Sequence, residues 1–246
     1  MNNSTSLTKF LIIGIVIFVF IGTKNQLSVI KRVKDTVKTI ESTAFNNSGG
    51  GQDNTSSLPN TENFDETRYL SHSQESIEYF KQVAMGREFD SKKNYIKRWN
   101  TDVKIYVQGE SSVELISELN KIVSDLNNII DPINLEVVSD PNESNMIVFF
   151  GSHISFYEQN PHIPLERLES NWGLFNSGTN SAILYVDTHR ANVEEQKHLL
   201  REELTQSLGL FNDTYDYPSS IFYQGWTTTT EYSDIDRELI DMLYNE

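Results

Sequence analysis

Along much of this chain the apolar residues recur at one of two spacings, and the spacing names the element. From Ser73 to Met85 they fall at Ile77, Phe80 and Val83, which predicts a helix. Val113 to Ile130 carries Leu115, Ile116, Leu119, Ile122, Val123, Leu126 and the pair Ile129–Ile130, an amphipathic helix of several turns. Val103 to Gln108 (V-K-I-Y-V-Q) alternates and reads as a strand. Leu135–Val138, Met146–Phe150 and Ala182–Asp187 read as further strands. Asn192 to Leu208 reads as a helix that ends at Gly209, the residue best suited to a left-handed turn after a helix. Ser233-x-x-Asp236 has the form of a capping box and opens a last helix with Ile235, Leu239, Met242 and Leu243 inward. The order helix, strand, helix, three strands, two helices implies an α+β domain. A mixed twisted sheet would carry a long backing helix, a second helix beside the sheet and a C-terminal helix.

The first 66 residues follow a different pattern. Phe10 to Gly22 is an unbroken apolar run preceded by Lys9. A full bilayer crossing needs about 20 apolar residues, though about 17 suffice. The run therefore implies a single-pass N-terminal anchor over residues 1–23, or a secretion signal, although no small-x-small cleavage site follows it. Residues 24–41 are a basic juxtamembrane segment. Residues 42–66 are rich in Gly, Ser and Asn without an apolar period, and read as a flexible tether. The folded domain is expected over 67–246, in the cell envelope and outside the cytoplasm.

Charge and composition narrow the classes further. The net charge of −15 argues against nucleic acid, which needs a basic surface. The absence of cysteine excludes disulfides, thiolate metal sites and a cysteine nucleophile. The serines lack a nucleophile-elbow context, and the glycine triplet at 49–51 sits in the tether with no strand before it or helix after it.

The most informative stretch is Glu202 to Asp213, E-E-L-T-Q-S-L-G-L-F-N-D. It resembles the metzincin zinc-protease signature H-E-x-x-H-x-x-G-x-x-H-D with each metal ligand replaced. Glu202, Gln206 and Asn212 stand at the three His positions. Glu203 stands at the general base, and Gly209 and Asp213 are kept. Ser220-Ile221-Phe222-Tyr223 resembles the Met-turn of that family with Phe222 in place of Met. Tyr232 to Tyr244 is similar to the closing helix of matrixins. The chain is also similar to a bacterial envelope family grouped as a domain of unknown function. That likeness rests on Ala84-Met85-Gly86-Arg87-Glu88-Phe89, Arg98-Trp99 and the E-E-L-T-Q-x-L-G-L-x-N-D helix. The resemblance implies a zincin-like fold over about Trp99 to the end, with a cleft between an edge strand and the helix bearing Glu203.

The donor set disfavours zinc, so no cofactor is expected. Zinc prefers imidazole or thiolate, and one carboxylate with two amides supplies neither. Calcium wants six to eight oxygens. The Gln206 and Asn212 amides are instead expected to hydrogen-bond Glu202 and tie the helix to the segment beyond Gly209. A cluster of Glu195, His198 and Glu202 reads as a salt-bridged helix surface. These features imply a membrane-anchored pseudo-metalloprotease domain that binds a peptide or protein of the envelope. Trp172, Phe175, Tyr223 and Trp226 would wall the cleft, and Ala182–Asp187 would form its edge strand. A metal-dependent hydrolase using Glu203 as base is the alternative, and a tethered structural spacer is a third reading.

Overall fold

The computed structural model describes residues 61–85 and 95–246. The apolar run, the basic segment, the tether as far as residue 60 and Gly86–Phe89 lie outside the described residues. Among the described residues no helix is long and apolar enough to cross a membrane.

Five strands make the main sheet: β3 (Val103–Gly109), β4 (Leu135–Val138), β5 (Met146–Gly151), β6 (Gly173–Ser177) and β7 (Ala182–Asp187). Their order is β4-β3-β5-β7-β6, parallel throughout except for β6, which runs antiparallel to β7. This is the α+β arrangement expected, with a long backing helix, a second helix beside the edge strand and a closing helix. Side chains alternate across the sheet. Val148, Phe150, Leu184 and Val186 face the main core, with α2 (Val113–Asn127) and α5 (Val193–Ser207). Phe149, Ile183 and Tyr185 face a second core closed by the short helices α3 (His153–Gln159) and α4 (Leu165–Ser170), through Phe156 and Leu168. The last helix, α6 (Asp234–Asn245), packs on α1 (Gln74–Ala84).

Two expectations need correction. The edge strand is β6 and not Ala182–Asp187, which lies between β5 and β6. All six residues of β7 are buried, as a strand covered on both faces and both sides must be. The edge is formed instead by Gly173–Ser177, to which the hydrophobic pattern assigned no element. The last residues expected in the tether also carry structure. Thr61–Asn63 forms β1, paired with β2 (Tyr95–Lys97), and a 3-10 turn follows over Glu66–Tyr69. There Tyr69 is buried and stacks at 5.1 Å on Phe64, two aromatics that a polar-rich stretch conceals.

Helix α5 is fixed at both ends and in its middle. Asn192 caps it, and Glu195 returns to the Asn192 N–H to complete a capping box. Midway, the wholly buried Arg201 donates to Glu118 (2.9 Å) and Asp125 (2.8 Å) on α2. At the far end Gly209 turns the chain at φ 138°, where a Cβ would stand 2.1 Å from the Lys97 carbonyl oxygen. The carbonyls of Ser207 and Leu208 accept from Trp99 Nε1 (3.0 Å) and the Tyr244 hydroxyl (2.9 Å).

Candidate functional site

Helix α5 packs across β6 and β7, so its Glu203 meets the edge strand. Hydrogen bonds from Asp187 N–H to Trp172 and from Gly178 N–H to Ser181 set the alternation of the β6–β7 ladder. In that register Leu174 and Asn176 bond inward, and the backbone groups of Gly173, Phe175 and Ser177 face away from the sheet. The Glu203 carboxyl accepts the outward N–H of Phe175. A Cβ at position 173 would come within 2.5 Å of Glu203 Oε1, so only glycine lets the acid lie against the strand.

Along this edge runs a trench of about 620 Å³, walled by β6 and Arg167 on one side and Gln206, Phe211 and Asn212 on the other. Next to it lies a chamber of about 310 Å³ lined by Trp172, Tyr223 and Trp226. Asn171, Gly173, Glu203, Gln206 and Asp213 line both, so the two spaces adjoin. Phe175 stacks on Phe211 (6.0 Å, 16° between planes), and Trp172 meets Trp226 edge to face at 5.4 Å. The aromatics expected as cleft walls therefore lie at the trench and the chamber. Phe222 does not line either; it is fully buried in the main core, and its N–H bonds Ser220 Oγ at 3.0 Å.

The three positions that would hold a metal are engaged separately. Gln206 Nε2 donates to Asp213 and not to Glu202. Asn212 turns to the end of α1, where its Nδ2 donates to the carbonyls of Gln82 (3.0 Å), Val83 and Met85 (both 3.3 Å). For Asn212 the cause is local: the last carbonyls of α1 lie next to the turn after Gly209 and accept its amide. Glu202 Oε2 lies 3.4 Å from His198 Nε2, and His198 Nδ1 donates to the Thr229 carbonyl at 2.7 Å. Glu195 belongs to the helix cap, so the expected cluster of Glu195, His198 and Glu202 is not formed. The histidine is also buried rather than part of a salt-bridged surface. Elsewhere His153 sits 3.7 Å from Asp187, and His189 bonds Glu110.

Burial, then the carboxyls of Glu203 and Asp213, push Glu202 well above the usual carboxylate range, although its side chain is 13% exposed. Burial and Asp213 do the same to Glu203, while Arg167 and the Phe175 N–H pull the other way. Burial lowers His198, which the Thr229 carbonyl only partly offsets. Both shifts favour the uncharged forms of Glu202 and His198, and with Nδ1 donating to Thr229 the Nε2 atom faces Glu202. The residues present do not fit zinc. The chamber lining offers a single imidazole, His198, and Asn212 is spent on α1. Among the described residues, the group with ligand atoms within 4.8 Å of one another is His72, Asp241 and Glu246, beside α6.

The model of the family described as a protein of unknown function (DUF2927) matches residues 73–246. The chain belongs to the DUF2927 family. Its match takes in α1, the whole main sheet, both spaces along β6 and the closing helix. No curated protein matches the chain. Among solved structures this DUF2927 chain is similar to two of myroilysin. One is 13% identical, covering 60% of this chain and 82% of that one at a TM-score of 0.36. The other is 10% identical, covering 77% and 100% at a TM-score of 0.39. Likeness at that level carries nothing about activity.

Sequence reasoning did not find Ser177, Phe211 or Arg167. Ser177 lies on an edge strand that the hydrophobic pattern did not reveal, and its buried Oγ has no hydrogen-bond partner. Phe211 sits inside the quoted motif, at a position whose pattern is silent about residue type.

Proposed function

We propose that this domain is a non-hydrolytic binding module that takes an extended segment of a partner protein along the free edge of β6. The supporting observation is the row of outward backbone groups at Gly173, Phe175 and Ser177 beside a trench of about 620 Å³. An added strand gains affinity from main-chain hydrogen bonds and specificity from side-chain pockets. Ser177 Oγ and Asn212 Oδ1, both buried without partners, are polar atoms such a segment could satisfy. An incoming carbonyl would take the Phe175 N–H from Glu203. Hydrolysis is not part of the reading, because the groups at the three ligand positions point to different partners. The N-terminal apolar run would hold the module at the outer face of a bacterial membrane, facing envelope proteins.

The test is selection of binding peptides from a displayed library, followed by hydrogen exchange on the complex. Amide exchange at Phe175 and Ser177 should slow on binding, and Trp172→Ala should weaken it by about tenfold, or about 1.4 kcal/mol. Protection elsewhere with β6 unchanged refutes strand addition. A stoichiometric metal in the purified protein, with chelator-sensitive peptide hydrolysis, refutes the non-hydrolytic assignment.

A further inference from the structure

Resting on that binding reading, we infer that the chamber lined by Trp172 and Trp226 selects a lysine or arginine side chain from the bound segment. The chamber adjoins the trench at Gly173, so a strand laid on β6 passes its mouth. Its volume of about 310 Å³ is at the lower end of the range for ligand pockets. Three aromatic rings, Trp172, Tyr223 and Trp226, share its lining with three carboxyls, Glu202, Glu203 and Asp213. Trp226 is 66% exposed and held edge to face by Trp172. An aromatic wall beside acids suits a side chain with an apolar stem and a cationic head. The chain itself already sets a guanidinium against this wall: Arg190 lies 5.9 Å from the Trp172 ring.

The electrostatics point the same way. Burial and the neighbouring carboxyls raise Glu202, and Arg167 is the cation that acts on Glu203. A cation beside a carboxyl raised in this way favours its ionised form, and the cation is bound in return. An apolar guest would desolvate the same carboxyls with no compensating charge. A metal ion fits less well. The metal-ligand spacing found among the described residues is at His72, Asp241 and Glu246 and not at these acids.

The experiment uses the peptide acetyl-TVTXTVT-amide with X as lysine, norleucine or glutamate, and Nα-acetyl-lysine N-methylamide as a probe of the chamber alone. Binding is read by tryptophan fluorescence and calorimetry. The lysine peptide should bind about tenfold tighter than the norleucine peptide, the scale of one desolvated cation–aromatic or ionic contact. Glu202→Gln, which keeps the shape, should abolish the preference for lysine over norleucine. Trp226→Ala should reduce it as well. Equal affinity for lysine and norleucine overturns charge selection and leaves strand addition standing. If no peptide binds while the acetyl-lysine amide does, in a manner sensitive to Glu202→Gln, the chamber assignment holds and strand addition falls. If none of the probes binds, both fall. A response to calcium or zinc that lysine does not reproduce overturns the inference.

Discussion

Removing Arg201 should damage this fold more than any change on its surface. The side chain is wholly buried on α5, with Glu118 7% exposed and Asp125 more open, both on α2. Its guanidinium also lies 4.5 Å from the Tyr232 ring centroid. Arg201→Met keeps much of the volume but strands the Glu118 carboxyl without a counter-charge. Breaking a buried ion pair from one side costs about 3–5 kcal/mol. Against a total stability of about 5–15 kcal/mol, that is a third or more of what holds a typical domain folded. With a urea slope of about 2 kcal/mol/M, the unfolding midpoint should fall by about 2 M. A fall below about 0.5 M would refute the reasoning. The triple variant Glu118→Leu, Asp125→Leu, Arg201→Met should recover most of the loss, because no charge is then left stranded. If the triple variant is as weak as the single one, packing and not charge is the cause.

Three other outcomes follow from the same structure. Gly209→Ala should cost about 1–3 kcal/mol, because the new Cβ meets the Lys97 carbonyl oxygen at a positive φ; a melting temperature equal to the parent's would contradict it. Glu202 and Glu203 have folded pKa values raised above the ordinary 4.5. Their contribution to stability is therefore fully present below about pH 4.5 and is lost as pH rises through the folded values. Glu202→Gln with Glu203→Gln should remove that loss, seen as a flatter dependence of melting temperature on pH; parallel curves would show the acids ionise freely. Asn212→Ala should cost about 1 kcal/mol by releasing the carbonyls at the end of α1, measured by urea unfolding, and an unchanged midpoint would exclude the capping role.

The longer elements were legible because each carries a local signal. Asn192 and Ser233 both open helices with complete capping boxes, and those helices begin where the sequence places them. The strands at Leu135–Val138 and Ala182–Asp187 match to the residue. The edge strand was not legible: G-L-F-N-S is five residues with two adjacent apolar positions, too few to show alternation. Helix α3 was hidden for a similar reason, since Phe156 is its one buried residue and Ile154 faces solvent. At the site, the types and spacing of Glu202, Gln206 and Asn212 were visible, but their partners were not. Whether an amide turns toward Glu202, Asp213 or α1 depends on which carbonyls the fold brings near, and Gln82 lies 130 residues from Asn212.

The clasp on the last two carbonyls of α5 ties distant parts of the chain together. Trp99 arrives from the segment between β2 and β3, and Tyr244 from the final helix turn, yet both grip one point just before Gly209. Clipping the residues from Tyr244 onward would loosen the Ser207–Asp213 bend from behind. The injury would register where a guest strand lies and not where the cut was made. A label or fusion attached to that final turn is thus a perturbation of the groove, and one placed before β1 is the gentler choice.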